Sequence, residues 1–132
     1  TYSLPNLTNL GRIDMNDTHL AIGCYPGGSS FKVLELSSLS APSYQTVPGQ
    51  DCPSEVSFNE KGLFIPSDDK IIGWNSISDA LAGSSPTMSF GGRTDKTNMG
   101  TKMASGISWD GYHFWVGEYK FSNRLLGFLP SK

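Results

Sequence analysis

A pattern of residues occurs three times along this chain, and this internal repeat constrains the fold more than any other feature of the sequence. The stretch GRIDM around Ile13 has counterparts in SEVSF around Val56 and in SGISW around Ile107. These three aliphatic residues are separated by 43 and 51 residues. Apolar and polar residues alternate in each stretch, as in a β-strand with one buried face. Intervals of roughly 40–50 residues are typical of four-stranded β-propeller blades.

Each repeat continues through a turn into two or three further strands. Asp110-Gly111 is the clearest turn, because Asp-Gly between alternating apolar segments is a strong hairpin signal. Second strands are predicted at 19–23, 63–66 and 113–117, third strands at 32–36, 70–74 and 124–128, and outer strands at 43–47 and 86–90. Only 76–81 has a pattern compatible with a turn of helix, and 91–103 is predicted to be a linker. The sequence therefore predicts an all-β chain.

The third repeat resembles an NHL repeat. The resemblance lies in Ala104–Gly111, Phe114–Glu118 and Ser122–Phe128, and the second and first repeats share it in part. It implies a β-propeller but says little about chemistry, since NHL-like propellers include both enzymes and binding modules. The family has an Asp at the end of the second strand, where this chain has Cys24, Ser67 and Glu118. A repeated ring of aspartates in the central channel is therefore not expected.

The repeats define three blades, at about 8–47, 52–91 and 103–132, with residues 1–7 as a separate outer strand. Propellers have about four to eight blades, so three blades leave apolar faces open to water. We expect two copies to form a six-bladed ring in which Thr1–Leu4 of one copy completes the third blade of the other. In the alternative, a different chain supplies the remaining blades.

Cys24 and Cys52 are the two cysteines of the chain, and the sequence leaves two interpretations open. They form a disulfide if the protein is exported, or remain two buried thiols if it is not. In a propeller both residues fall near the upper rim of neighbouring blades, where a bridge is feasible. Two sequons, at Asn6 and Asn16, fit N-glycosylation. We expect an extracellular or periplasmic protein.

Composition and motifs exclude several classes of function. The net charge of −2 disfavours a nucleic-acid-binding face, and no apolar run approaches the roughly 20 residues of a membrane span. The sequence has no nucleophile elbow and no phosphate-binding loop. His19 and His113 are predicted to be turn residues rather than metal ligands, because the second repeat has Gly62 at the equivalent position. We expect no cofactor, no metal and no catalytic residue.

The predicted binding residues lie at or after the ends of second strands, on the upper rim. They are Tyr25, Glu118, Tyr119 and Phe121. Trp74, Trp109 and Trp115 are interpreted as core residues, and Lys32, Lys70 and Arg124 as partners of neighbouring carboxylates. The sequence thus predicts a noncatalytic propeller module that binds or scaffolds a protein or a glycan. The alternative is a metal-dependent propeller enzyme of the lyase or lactonase kind.

Overall fold

The computed structural model describes residues 10–24, 30–67, 69–91, 104–118 and 125–129. The strands within these ranges are β1 (Leu10–Met15), β2 (His19–Cys24), β3 (Ser30–Glu35), β4 (Tyr44–Asp51), β5 (Ser57–Asn59), β6 (Gly62–Ser67), β7 (Lys70–Trp74), β8 (Met88–Phe90), β9 (Ala104–Trp109), β10 (Phe114–Glu118) and β11 (Leu125–Phe128). One short helix, α1 (Ile77–Leu81), follows β7 inside the segment predicted to turn. Ser76 begins it as a capping residue, since its hydroxyl oxygen accepts the Asp79 N–H at 3.1 Å.

The strands form three antiparallel sheets in which neighbours in the chain are neighbours in space. The first sheet has the order β1-β2-β3-β4, the second β5-β6-β7-β8, and the third β9-β10-β11. The prediction of an all-β chain is confirmed. The third sheet has three strands within the described residues, and Thr1–Leu4, the segment predicted to supply its fourth strand, lies outside them.

The repeat is visible in the pairing of the first two strands of each sheet. Met15 pairs with Leu20, Phe58 with Leu63, and Trp109 with Phe114. Four residues lie between the partners in every case. Asp110 and Gly111 are therefore the first two residues of a four-residue turn, and not the two central residues of a two-residue hairpin. A side-chain oxygen at the first turn position closes each turn by accepting backbone N–H groups. These residues are Asn16, Asn59 and Asp110.

The third strand of the first sheet is displaced by two residues from the predicted alignment. Leu34, not Leu36, is the equivalent of Trp74 and Phe128, because it pairs with Leu20 as they pair with Leu63 and Phe114. Leu36 has already left the sheet, and its N–H donates to the Thr18 carbonyl at 2.8 Å. This bond to the turn between β1 and β2 draws the chain out of the sheet, so β3 ends at Glu35.

Consecutive sheets pack face to face, and the first strands of the three repeats are neighbours. One core fills the space between the first and second sheets, around Phe31, Leu63 and Trp74. Another fills the space between the second and third, around Phe64 and Phe114. Strand β5 contacts both β1 and β9, and the Phe58 N–H donates to an Asp14 carboxylate oxygen at 2.7 Å. The second sheet is therefore covered on both faces.

The first and third sheets expose apolar side chains at positions that are buried elsewhere in the repeat. Phe31, Ile71 and Leu125 are equivalent by strand register, yet their exposed fractions are 0%, 0% and 68%. Val56 is 4% exposed, whereas its equivalent in the first sheet, Ile13, is 59% exposed. Full burial of such a side chain contributes about 1.5–3 kcal/mol, which these two positions do not gain in the single chain.

Candidate functional site

The upper end of the sheets, where β1, β5 and β9 begin, carries a disulfide between Cys24 and Cys52. Cys24 ends β2 and Cys52 follows β4, and their Cα atoms are 5.7 Å apart. The Cys24 N–H also donates to the Pro53 carbonyl at 2.8 Å. These links hold the segment between β4 and β5 against the first sheet, which is why β5 begins at Ser57 rather than near Ser54. The disulfide interpretation is confirmed.

An ion pair joins the first two repeats at this end. Arg12 and Glu55 hold the same repeat position, one residue before Ile13 and Val56, and Arg12 Nε lies 3.6 Å from Glu55 Oε1. The Glu55 side chain is 6% exposed and that of Arg12 is 67% exposed. Burial raises the pKa of Glu55 to about 7, and the Arg12 charge opposes that rise only in part. Neither residue was predicted as functional, although two charged residues at one repeat position are visible in the sequence.

A groove of about 620 Å³ opens at the upper end between the first and second sheets. Its floor is aliphatic and includes Ile65 and Ile72, which are 2% and 8% exposed. One wall is the end of β4, from Gly49 to Pro53. The other wall is Pro86–Ser89, which leads into and forms most of β8, the outer strand of the second sheet. We call this the inter-sheet groove.

A bulge in β4 creates the first of these walls. Lys32 pairs with Thr46, but Ser30 pairs with Asp51, so β4 has three more residues than β3 over the same stretch. Pro48 has no N–H to give to the ladder, and Gly49 has a φ of 70° that favours glycine. The bulge therefore leaves the sheet and lies along the groove.

Two charged side chains at the groove have no ion-pair partner within the part of the chain that the structure describes. Asp51 and Lys70, of opposite charge, line it and form no hydrogen bond or ion pair there. Lys70 was predicted to be the partner of a carboxylate, and no carboxylate among the described residues forms an ion pair with it. Lys32, predicted likewise, donates instead to the Thr46 hydroxyl at 3.2 Å. Arg124 lies outside the described residues.

The lower end is organised around the turn residue Asp110. Its carboxylate accepts the N–H groups of Tyr112 and His113 at 2.8 and 2.7 Å and the Trp115 indole N–H at 2.7 Å. These bonds, that of the His113 N–H first, hold the pKa of Asp110 well below its ordinary value. The Asp110 carboxylate is therefore already engaged in hydrogen bonds to its own turn and to Trp115.

Two of the three tryptophans interpreted as core residues lie partly at the surface, while Trp74 is buried. Trp115 is half-buried, and its indole bonds to Asp110 on a face that no further sheet covers in the described structure. Trp109 packs on Phe90 and Phe114, as predicted, but its indole N–H donates to Glu60 at 2.7 Å. His19 and His113 flank their turns, and the described residues hold no group of three or more side chains that could bind a metal.

The predicted binding residues fall largely outside the part of the chain that can be described. Tyr25, Tyr119 and Phe121 lie outside the described residues. Glu118 ends β10 and pairs with Ala104, and its side chain also lies outside them.

No protein family, curated protein or solved structure matches this chain. Among the described residues, no helix has the length and apolar character needed to cross a membrane. The function must therefore be inferred from the features of the chain itself.

Proposed function

We propose that this chain is half of a six-bladed, NHL-like β-propeller that a second copy completes, and that the ring is a noncatalytic binding module. The observation that supports it best is the difference between Ile71 and Leu125, which are equivalent by register but 0% and 68% exposed. A third sheet with a neighbour on its outer face would bury Leu125 as the second sheet buries Ile71.

The two outer faces carry exposed apolar side chains that can pack together in a two-fold assembly, although Ile22 and Leu34 on the outer face of the first sheet are already buried in the single chain. The outer face of the third sheet presents Trp115 and Leu125, while that of the first presents Ile13 and Met15. In the ring, the third sheet of each copy packs on the first sheet of the other. Thr1–Leu4 of the partner then adds to the edge of β11 and completes the third blade.

The binding role is proposed for the upper end. A groove lined by unpaired charged side chains over an aliphatic floor is the usual composition of a binding site. The loops that contain Tyr25, Tyr119 and Phe121, together with Glu118, are proposed to extend this surface. An extracellular or periplasmic location is proposed because disulfides persist in oxidising compartments.

The oligomeric mass tests the assembly. Light scattering on the purified chain should give twice the chain mass of 14.3 kDa, over a range of concentrations. A folded monomer at micromolar concentration would contradict the ring.

One observation favours the alternative of an enzyme on the same scaffold. Glu55 is a buried carboxyl group with a pKa raised to about 7, and such a group can donate or accept a proton near neutral pH. It lies just before β5, one of the innermost strands of the proposed ring, next to Arg12. Screening the dimer for lyase and lactonase activity, with Glu55→Gln as control, separates the two functions: turnover lost in the variant supports the enzyme.

A further inference from the structure

We propose that the inter-sheet groove binds an extended peptide that has an aliphatic side chain between an acidic and a basic one. This inference rests on the proposed binding function and names its ligand class. The acidic side chain of the peptide pairs with Lys70, the basic one with Asp51, and the aliphatic side chain lies between the two walls of the groove, above the buried Ile65 and Ile72.

The charges of the groove support a ligand with both signs of charge. Asp51 and Lys70 line one groove, yet within the described structure neither forms an ion pair with the other or with any further residue. Both side chains are exposed to solvent, so each is accessible to a ligand group of opposite charge, and such pairs determine the register and orientation of the partner.

The walls of the groove support an extended backbone. Strand β8 is the outer strand of the second sheet and pairs only with β7 among the described strands. A peptide that adds to the edge of a sheet gains main-chain hydrogen bonds, while pockets for alternate side chains provide specificity. The segment from Pro86 to Ser89 lines the groove, so a peptide in it runs beside this edge.

The lining of the groove disfavours a sugar. The described residues that line it include no Phe, Tyr or Trp on whose ring a pyranose could stack. Its described apolar lining consists instead of proline, isoleucine and methionine side chains, which suit an aliphatic side chain. The aromatic side chains of the described surface, such as Tyr112 and Trp115, are at the lower end or on the outer face of the third sheet.

A phage-displayed library of random dodecapeptides, selected on the purified dimeric chain, tests the proposal. We expect enriched peptides to share an aliphatic residue between an acidic and a basic one. A synthetic copy of the best peptide should bind Lys70→Glu at least about tenfold more weakly than the unaltered chain. The same peptide with its acidic residue changed to lysine should recover binding to Lys70→Glu. Asp51→Lys should weaken binding in the same way and provides a second, independent variant.

Lys61→Glu is the matched control, because it makes the same charge change on an exposed lysine at the lower end. It should leave peptide binding unchanged. Circular dichroism and sizing should show that all three variants keep the fold and the mass of the unaltered chain.

Three results would overturn the proposal. If no peptide is enriched from the library, the chain does not bind peptides of this kind, and the proposed binding function loses its main support. Enriched peptides that bind Lys70→Glu and Asp51→Lys as tightly as the unaltered chain would support the binding function but show that the ligand binds outside the groove. Binding on a glycan array that Lys70→Glu abolishes would assign the groove to a carbohydrate.

Discussion

Arg12 in β1 and Glu55, two residues before β5, occupy the same repeat position, and their side chains meet across the boundary between the first and second sheets. The Arg12 side chain is mostly exposed and the Glu55 side chain is almost fully buried, with 3.6 Å between Arg12 Nε and Glu55 Oε1. The buried carboxylate is therefore poorly compensated. A pair like this is weak support for stability, because removing the charge of the carboxylate from water costs as much as the ion pair returns.

The titration of Glu55 predicts that the protein is less stable at neutral pH than in mild acid. The pKa of Glu55 rises from 4.5 in the unfolded chain to about 7 in the folded one, so the folded state holds its proton more tightly. This tighter binding of the proton stabilises the folded state. The stabilisation is fully present below pH 4.5 and is lost as the pH rises through 7. The loss is at most about 3.5 kcal/mol, because one pKa unit corresponds to about 1.4 kcal/mol.

Glu55→Gln should remove this part of the pH dependence. The variant should match the unaltered chain near pH 4.5 and be more stable than it at pH 8, since it has no charge to bury. Urea unfolding at both pH values measures the difference. Equal stability of the two proteins at pH 8 would show that the carboxylate is well compensated after all.

Leu125 gives a prediction about assembly. Leu125→Asp should convert the dimer to monomer, because a carboxylate cannot be buried without a partner in the proposed interface. Tyr112→Asp is the control, since Tyr112 is 63% exposed but lies on the lower turn, outside the proposed interface. Sedimentation velocity compares the two. A dimer that persists in Leu125→Asp would exclude the outer face of the third sheet as the interface.

The three sheets and the order of their strands could be predicted from the sequence because most strands alternate between buried and exposed residues and the pattern repeats, but the register of β3 could not, since Leu34 and not Leu36 is the equivalent of Trp74. The bridge between Cys24 and Cys52 was left open, since only the fold brings the two residues together. The inter-sheet groove was missed, because it depends on a bulge at Pro48 and Gly49 that looks like an ordinary strand end. The importance of Glu55 was missed because its burial arises from packing between sheets rather than from local pattern.

The disulfide should stabilise the chain by restricting the unfolded state. Replacing both Cys24 and Cys52 by alanine opens a loop of 28 residues and should lower the free energy of unfolding by about 3–4 kcal/mol. Urea unfolding measures this loss. A reducing agent should weaken the unaltered chain by a similar amount and leave the double variant unaffected. A reducing agent that destabilises both proteins equally would show that its effect does not come from this bridge.

The turn at Asp110 predicts a second, opposite dependence on pH. Its pKa is lower in the folded chain than the ordinary 3.8, so its contribution to stability is present above that pH and is lost as the pH falls below it. Asp110→Asn keeps an oxygen that can accept the backbone N–H groups, as Asn16 does in the first repeat. Asp110→Ala keeps none. At pH 7 the melting temperature should therefore fall more in Asp110→Ala than in Asp110→Asn. An equal loss in the two variants would show that the charge, and not the closure of the turn, is what matters.

Substitution of two glycines with positive φ distinguishes the cost of backbone strain from the cost of a steric clash. Gly62 has a φ of 137°, and a Cβ there would lie against the Trp74 carbonyl oxygen of the neighbouring strand. Gly111 has a φ of 100°, and a Cβ there would meet no atom within 4 Å. Gly111→Ala should therefore cost about 1–2 kcal/mol of backbone strain alone. Gly62→Ala should cost clearly more, because the pairing of β6 with β7 must also shift. Chemical denaturation of the two variants measures both losses, and a smaller loss for Gly62→Ala than for Gly111→Ala would contradict the close approach of these strands.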